Sequence, residues 1–555
     1  MASKWARPSL RLWGRLTTCP TLLLCALGAA ILSADAPAPI RFRNVAVESG
    51  VHFVLENSPT PQKRLIETMS GGVAIFDYNG DGRPDIFFTN GAAVPSLEKV
   101  SPKYFNRLYR NDGGMKFTDV TAEAQVAGAG YSMGVAAADY DNDGNVDLFV
   151  AGVNRNFLYH NLGNGKFEDV TEKAGIRSGE WAVAAGWFDY DNDGKPDLFI
   201  VHYAKWPSDD RYCGDASRGI RIYCHPKYFQ GLPSTLYHNR GDGTFEDVSK
   251  TSGIGKYAGR GMSVAFADYD GDGFMDAFVT NDNMPNFLFH NRGNGTFEEV
   301  ALSAGVALPD QGHPVASMGT DFRDYNNDGL PDIAVTALAG ETFPLFRNMG
   351  KGGFLDAGYA SKLAPLTIHH SGWGVGLFDF NNDGWKDLFT ANSHVNDLVE
   401  QFEAAKYQEP NGVFLNTGNG VFRDVSAESG QTSACAHRGS AFADLNGDGR
   451  IDVVVSCLGA PAEVWENASG AGNWIEFKLV GVRSNRDGIG TRIRVGDQSN
   501  HMTSAVSYAS SSYAPVHFGL GKVTEVPKVE IDWPSGTVQV LEKVKVNQVL
   551  TVREE

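Results

Sequence analysis

The chain has 555 residues, 42% hydrophobic and 21% charged, with 64 glycines and a formal net charge of −18 at pH 7. That length exceeds one ordinary core and calls for a repeat array or several domains, and the glycine content reads as turn-rich and β-leaning. The acidic balance, with no basic stripe, excludes nucleic acid as a partner.

The N-terminus reads as an address. Lys4, Arg7, Arg11 and Arg15 precede the apolar run Leu22–Leu32, which ends in Ser33-Ala34-Asp35-Ala36. This is the layout of a cleaved secretory signal peptide over residues 1–36, with an uncleaved anchor as the alternative. The run is too short to span a bilayer, and no other segment reads as transmembrane. Neither Cys19 nor Cys25 follows a small residue (Thr18 and Leu24 precede them), so a lipid anchor is not expected.

Without the leader, Cys213, Cys224, Cys435 and Cys457 remain, an even number suited to an oxidising compartment. Cys213 and Cys224 lie in the longest interval between repeats, where a disulfide would staple an insertion. Cys435 and Cys457 flank the last acidic loop out of direct register, and their pairing is left open. No CxxC spacing occurs, so a thiol-based metal site is not expected.

The mature chain carries a nine-residue acidic motif seven times. Its clearest copy is Asp139-Tyr140-Asp141-Asn142-Asp143-Gly144-Asn145-Val146-Asp147, followed by the apolar Leu148-Phe149-Val150. Side-chain oxygens stand at positions 1, 3, 5 and 9, and the Gly at position 6 permits a sharp turn. Ca²⁺ takes six to eight oxygen ligands of this kind. An EF-hand needs Glu at position 12, but Val150 stands there inside an apparent strand, so the loop reads as the tip of a β-hairpin. The predicted metal ligands are Asp77, Asn79, Asp81 and Asp85; Asp139, Asp141, Asp143 and Asp147; Asp189, Asp191, Asp193 and Asp197; and Asp268, Asp270, Asp272 and Asp276. The last three loops supply Asp324, Asn326, Asp328 and Asp332; Asp379, Asn381, Asp383 and Asp387; and Asp444, Asn446, Asp448 and Asp452. About seven structural Ca²⁺ ions would cancel most of the net charge. Metal-free Asp-Gly turns are the competing reading, but a turn does not call for carboxylates at positions 1, 5 and 9 in every copy. Position 7 varies freely, as expected of a ligand offering its backbone carbonyl.

Two further signals recur between the loops. One is an apolar–aromatic pair leading to Asn, as in Leu108-Tyr109-Arg110-Asn111, Leu158-Tyr159-His160-Asn161 and Leu236-Tyr237-His238-Asn239. The other follows a Gly-rich turn, as in Phe167-Glu168-Asp169-Val170 and Phe245-Glu246-Asp247-Val248. Alternating residues bounded by Asn-Gly or Asp-Gly give strand, turn, strand, so each repeat reads as a four-stranded unit of propeller-blade size. The last repeat stops at Asn467 without its Phe-led strand, while the mature chain opens on one, Phe42-Arg43-Asn44-Val45. The N-terminal strand is therefore expected to complete the last blade of an all-β, seven-bladed propeller over residues 37–470 and to hide two open edges.

The Asp-x-Asp/Asn-x-Asp-Gly-x-x-Asp loops with Phe/Gly-rich turns resemble the FG-GAP/VCBS repeats of integrin α-subunit propellers. Beyond Asn467, Asn485-Arg486-Asp487-Gly488-Ile489-Gly490-Thr491, Phe518-Gly519-Leu520-Gly521 and Trp533-Pro534-Ser535-Gly536 resemble the ASPIC/UnbV domain. The combination is similar to the cartilage acidic protein/UnbV family of secreted proteins. Residues 471–555 are expected to form a small β-rich domain packed on the propeller, from the alternation in Trp474–Leu479 and Val529–Trp533.

Two functions of different class follow. The first is a secreted, periplasmic or extracellular calcium-stabilised module that binds a protein or glycan without catalysis of its own. The alternative is an exported propeller enzyme, a hydrolase or lyase, working at the channel mouth with His394 and His437; His313, His369 and His370 fall in the same repeats. Gly130-Tyr131-Ser132-Met133-Gly134 matches the G-x-S-x-G elbow only formally, because it runs into a strand rather than a strand–turn–helix. Fold alone does not separate the two. Asn294-Gly295-Thr296 and Asn467-Ala468-Ser469 are glycosylation sequons that matter only in a glycosylating host.

Overall fold

The computed structural model describes residues 39–206, 211–418, 420–470 and 472–555. The expected leader lies outside them, and residues 37–555 form one compact unit. Among the described residues the regular structure is mostly strand, with a few helices of one turn, and turns and irregular segments join the strands. No helix there is long and apolar enough to cross a membrane.

The repeats become seven antiparallel sheets on one plan. In the second, Tyr131–Ala138, Asp147–Val153, Phe157–Asn161 and Phe167–Asp169 lie side by side in chain order. The acidic loop joins the first two strands, and its position 9 opens the second strand in every sheet. First strands such as Tyr131–Ala138 and Ala182–Phe188 are buried along their whole length, hence their small residues. A Cβ on Gly186 would sit 2.4 Å from the Phe266 ring. The first strand of each sheet packs on that of the next, and Val73–Phe76 packs on both Tyr131–Ala138 and His437–Ala443.

The seventh sheet is completed from the other end of the chain. Phe42–Asn44 pairs with Glu463–Asn467, Phe42 opposite Asn467. Phe42 also takes the seat that the Phe-led strands occupy elsewhere. The aromatic at loop position 2 packs on the leading Phe of the next sheet, Tyr78 on Phe167, Tyr190 on Phe297 and Tyr325 on Phe422. Phe380 packs likewise on Phe42, at a centroid distance of 5.4 Å.

Polar latches join the sheets. The Asn that ends each third strand donates from Nδ2 to the position-2 carbonyl of the preceding loop: Asn161 to Tyr78 at 2.8 Å, Asn239 to Tyr140 at 2.7 Å, Asn416 to Tyr325 at 2.9 Å. Asn111 of the first sheet reaches Leu445 of the seventh in the same way, at 2.8 Å.

Residues 473–555 form two sheets on the acidic-loop end, with Asn473–Val480 and Glu525–Asp532 as central strands. Both strands follow the alternation read in the sequence. Their apolar residues, Ile475, Phe477, Val529 and Ile531 among them, belong to the same buried cluster as the repeats. What the sequence did not foretell is the run Thr503–Ala514, which threads between the first strands. Ser511–Ser512 pairs in parallel with Val73–Phe76. Val135 N donates to Ala509 O at 3.0 Å. Val375 N donates to Ser507 Oγ and Phe442 N to Ser512 Oγ, both at 3.0 Å. Tyr508, fully buried near the tip, donates to Met69 O at 2.7 Å and meets Trp373 edge-on. Inner-strand N–H groups, which need partners once buried, thus find them in a segment whose Ser and Ala side chains are small enough to enter.

Asn416→Ala is expected to destabilise the protein by about 3 kcal/mol, because two buried carbonyls lose their donor. Asn294→Ala, on an exposed turn, is expected to be neutral. Denaturant melts of the two variants check this, and equal midpoints would remove the latch from the account.

Candidate metal centres

Each acidic loop is prefolded by its own carboxylates. In the second, Asp139 Oδ1 accepts from Asp143 N at 2.9 Å and Oδ2 from Gly144 N at 2.7 Å. Asp143 Oδ1 accepts from Asn145 N at 2.8 Å. Asp147 accepts from Asn161 N at 2.7 Å and from Tyr140 N at 3.2 Å. These bonds gather one oxygen each of Asp139, Asp141 and Asp147 within 4.8 Å of one another. Position 6 is left-handed in every loop, for example φ +96° at Gly144, which explains its glycine.

The other loops repeat the scheme. Asp189, Asp268, Asp324, Asp379 and Asp444 each accept from the position-6 glycine N, and Asp77 accepts from Gly82 N at 2.8 Å. Asp85, Asp197, Asp276, Asp332, Asp387 and Asp452 are fully buried and accept from the Asn N of the third strand. Positions 3 and 5 stand at the loop tips: Asn79 and Asp81, Asp141 and Asp143, Asp191 and Asp193, Asp270 and Asp272, Asn326 and Asp328, Asn381 and Asp383, Asn446 and Asp448.

Burial makes these carboxylates reluctant anions. It pushes Asp85 up to about 8 and Asp147, Asp197 and Asp276 up to about 7. Asp139, Asp189 and Asp379 rise to about 8 from burial, with neighbouring carboxylates adding to it. A charge held away from water needs a counter-charge. The predicted ligands are all oxygen donors, with His160, His238 and His290 beside three of the clusters, and Asp191 Oδ1 is buried without a hydrogen-bond partner. The residues therefore fit a hard divalent cation, which would neutralise several carboxylates at once.

Three features of the loops escaped the sequence reading. Position 4 is also left-handed and is always Asn or Gly, for example Asn142 at φ +60° and Gly271 at φ +80°. Asn142 Nδ2 donates to Gly194 O of the next loop and Asn192 to Gly273 O, both at 2.9 Å. His160, His238 and His290 lie against the position-9 carboxylate, 3.3, 3.3 and 3.2 Å from Asp147, Asp197 and Asp276. The Asp147 carboxylate beside it raises His160 to about 9, and the Asp197 and Asp276 carboxylates raise His238 and His290 in the same way. Position 7 is not free everywhere, since Arg83, Lys195 and Arg450 pair with Asp81, Asp193 and Asp448. The signals were present: an Asn/Gly restriction at position 4, and His or Arg before the strand-ending Asn.

The remaining candidates separate. Ser132 is buried in Tyr131–Ala138, so the G-x-S-x-G match is strand sequence with no elbow. His394 lines a cavity of about 750 Å³ at the end of the sheets opposite the loops, together with Asp282, Glu341, Trp373, Tyr223 and Tyr228. His437 does not line it; it is buried, 3.1 Å from Glu463. His370 pairs with Glu409 at 2.9 Å, and His313 and His369 are exposed. Cys213 and Cys224 form the expected disulfide beside the same cavity, whereas Cys435 and Cys457 are free thiols. Of the two sequons, Asn294 is exposed and Asn467 is fully buried as a latch.

Carboxyl groups raised on folding hold protons that the unfolded chain releases near pH 4. Stability of the chelated protein therefore falls as pH rises from about 4 through 7–8. Melting in EDTA is expected to be higher at pH 5 than at pH 8; the opposite order would mean that these groups ionise freely in the fold.

Comparison with known proteins agrees with this architecture. The FG-GAP-like repeat model matches residues 77–150, 139–200, 230–279, 269–335, 324–390 and 396–455, and the ASPIC and UnbV model matches residues 481–555. Cartilage acidic protein 1 of Mus musculus is 30% identical over 316 residues, 54% of this chain and 45% of that protein. The Homo sapiens protein is 29% identical over 314 residues, 54% and 44% respectively. The chain thus spans about half the length of these relatives. Among solved structures, YCF48 bound to D1 peptide is similar with a TM-score of 0.41 at 7% identity, over 78% of this chain and 97% of that one. The chain belongs to the FG-GAP-like repeat family, is related to cartilage acidic protein, and carries a C-terminal ASPIC and UnbV region.

Proposed function

We propose that this protein is an exported binding module: a closed, seven-bladed propeller over residues 37–470, held by calcium, with residues 471–555 as a second domain docked on it. The observation that carries the reading is the set of buried position-9 carboxylates, one per sheet, each beside further oxygen donors. Ca²⁺ bound by the loop side chains would supply the counter-charge that burial demands. The chain itself does the rest: Asp139 and its counterparts orient the loop N–H groups, and the position-9 Asp ties the loop to the third strand. Export is supported by the disulfide and by the basic-then-apolar leader, because weak calcium sites fill where free Ca²⁺ is abundant.

The end of the sheets away from the loops is the reading's contact surface. There the disulfide-stapled insertion overhangs a cavity lined by Tyr223, Tyr228, Trp373, Asp282 and Glu341. Aromatic faces beside carboxylates suit a glycan or a polar peptide loop. At the loop end Thr503–Ala514 lies against the inner strands, which makes the opposite end the approach this reading favours.

Two outcomes are expected. Millimolar Ca²⁺ raises the melting temperature of the chelated protein at pH 7.5 by ten degrees or more, on the order of several bound-ligand contributions of about 3 kcal/mol each, and calorimetry counts several sites. No shift would end the calcium reading. Extracellular glycan and protein capture is retained in Ca²⁺ and lost on Tyr228→Ala; binding indifferent to that variant would move the contact surface elsewhere.

A further inference from the structure

Cys435, His437 and Cys457 meet at the end of the seventh sheet farthest from its acidic loop. His437 stands opposite Cys457 in the register of His437–Ala443 with Asp452–Cys457, and Cys435 lies two residues earlier. Residues two apart on a strand, and residues directly opposite across a pair, share one face. One ligand-type atom of each of the three lies within 4.8 Å of the others. The sequence set the two cysteines on either side of the last loop, and the register adds His437 between them.

The histidine between them is held by acceptors on both nitrogens. Nδ1 is 3.0 Å from Asn392 O and Nε2 is 3.1 Å from Glu463 Oε2. A carbonyl and a carboxylate only accept, so both nitrogens carry protons and the ring is an imidazolium. Glu463 is fixed in turn by Trp465 Nε1 at 2.8 Å and Asn411 Nδ2 at 3.0 Å. A doubly protonated ring offers no lone pair to a metal, which argues against a thiol–imidazole metal centre. It does offer a fixed positive charge beside two thiols, the setting that turns a thiol into a thiolate.

The two cysteines differ in access. Cys435 is partly exposed and Cys457 fully buried. A hydrogen bond from Cys457, aided by the charge on His437, brings Cys435 down to about 7, while burial pushes Cys457 well up. Tyr407 and Arg438 also face the pair, and Arg438 adds positive charge.

We infer that Cys435 and Cys457 are a redox-active dithiol, with Cys435 the nucleophile, Cys457 the resolving thiol, His437 the positioning cation and low-molecular-weight disulfides the oxidant. The Cys435 thiolate attacks one sulfur of the small disulfide, forming a mixed disulfide and expelling one thiolate, which takes a proton from solvent. Cys457 then loses its proton and attacks the Cys435 sulfur, closing the Cys435–Cys457 bond and releasing the second small thiol. Two protein thiols are oxidised and one disulfide is reduced to two thiols.

The test uses the reduced full-length protein with glutathione disulfide at pH 7.5, read by intact-mass and peptide mass spectrometry. The wild type is expected to close the Cys435–Cys457 bond without lasting adduct, and Cys457→Ser to retain one glutathione on Cys435. Cys435→Ser is expected to leave Cys457 unmodified under native conditions. His437→Gln is expected to slow alkylation of Cys435 by iodoacetamide at pH 7 at least fivefold and to move its pH profile upward, with the circular dichroism spectrum reporting that the fold is kept. Adduct on Cys457 in place of Cys435, or a wild-type bond that excess dithiothreitol leaves intact in the folded protein, would overturn the proposal in favour of a static staple. None of these readouts involves calcium, so they stand apart from the test of the acidic loops.

Discussion

One asparagine per sheet ties this molecule together. Its backbone N–H is held by the position-9 carboxylate of its own sheet, and its side-chain amide reaches the position-2 carbonyl of the sheet before. The same position-2 residue offers its backbone N–H to its own position-9 Asp. Every acidic loop is thus wired both to its own third strand and to the next sheet, and the wiring runs from the seventh sheet back to the first through Asn111 and Leu445. A short polar side chain can do this only if the carboxylate that anchors it is buried, and this places the electrostatic strain of the fold.

The strain explains why the loops carry more acid than a turn requires. Position 9 is needed for wiring, position 1 for folding the loop, and position 5 for orienting its return. All three are therefore architectural before any ion arrives. A cation held among them, as proposed above, would satisfy charges that already have a structural reason to be there, and its binding would be coupled to folding rather than adding a separate function. The basic residues that reach Asp81, Asp193 and Asp448 do part of the same work from the outside.

The repeat plan was legible because its signals are periodic. Acidic loop, Asn-ended strand and Phe-led strand each recur, and the missing Phe-led strand after Asn467 pointed to Phe42 before any coordinates did. The position-4 rule was equally periodic but went unread, since its cause, a left-handed backbone with a side chain capping the next loop, is visible only in three dimensions. Thr503–Ala514 left no trace in the pattern: a Ser- and Ala-rich run has no amphipathic period, and its worth lies in fitting strands hundreds of residues away. Cys435 and Cys457 were placed either side of the last loop by the sequence, but His437 was not grouped with them, because its place opposite Cys457 comes from the strand register. Asn467 is the reverse case, a recognised sequon whose amide is already committed inside the protein.

Arrays of identical units usually gain or lose a copy without harm. The central thread removes that freedom here. Ser507, Ala509, Ser511 and Ser512 each answer to a particular inner strand, so an added or deleted unit would leave the thread with mismatched partners and a passage of the wrong bore. The tail of the chain is thereby fitted to the particular sheets it threads, and the repeats and the tail can change only together.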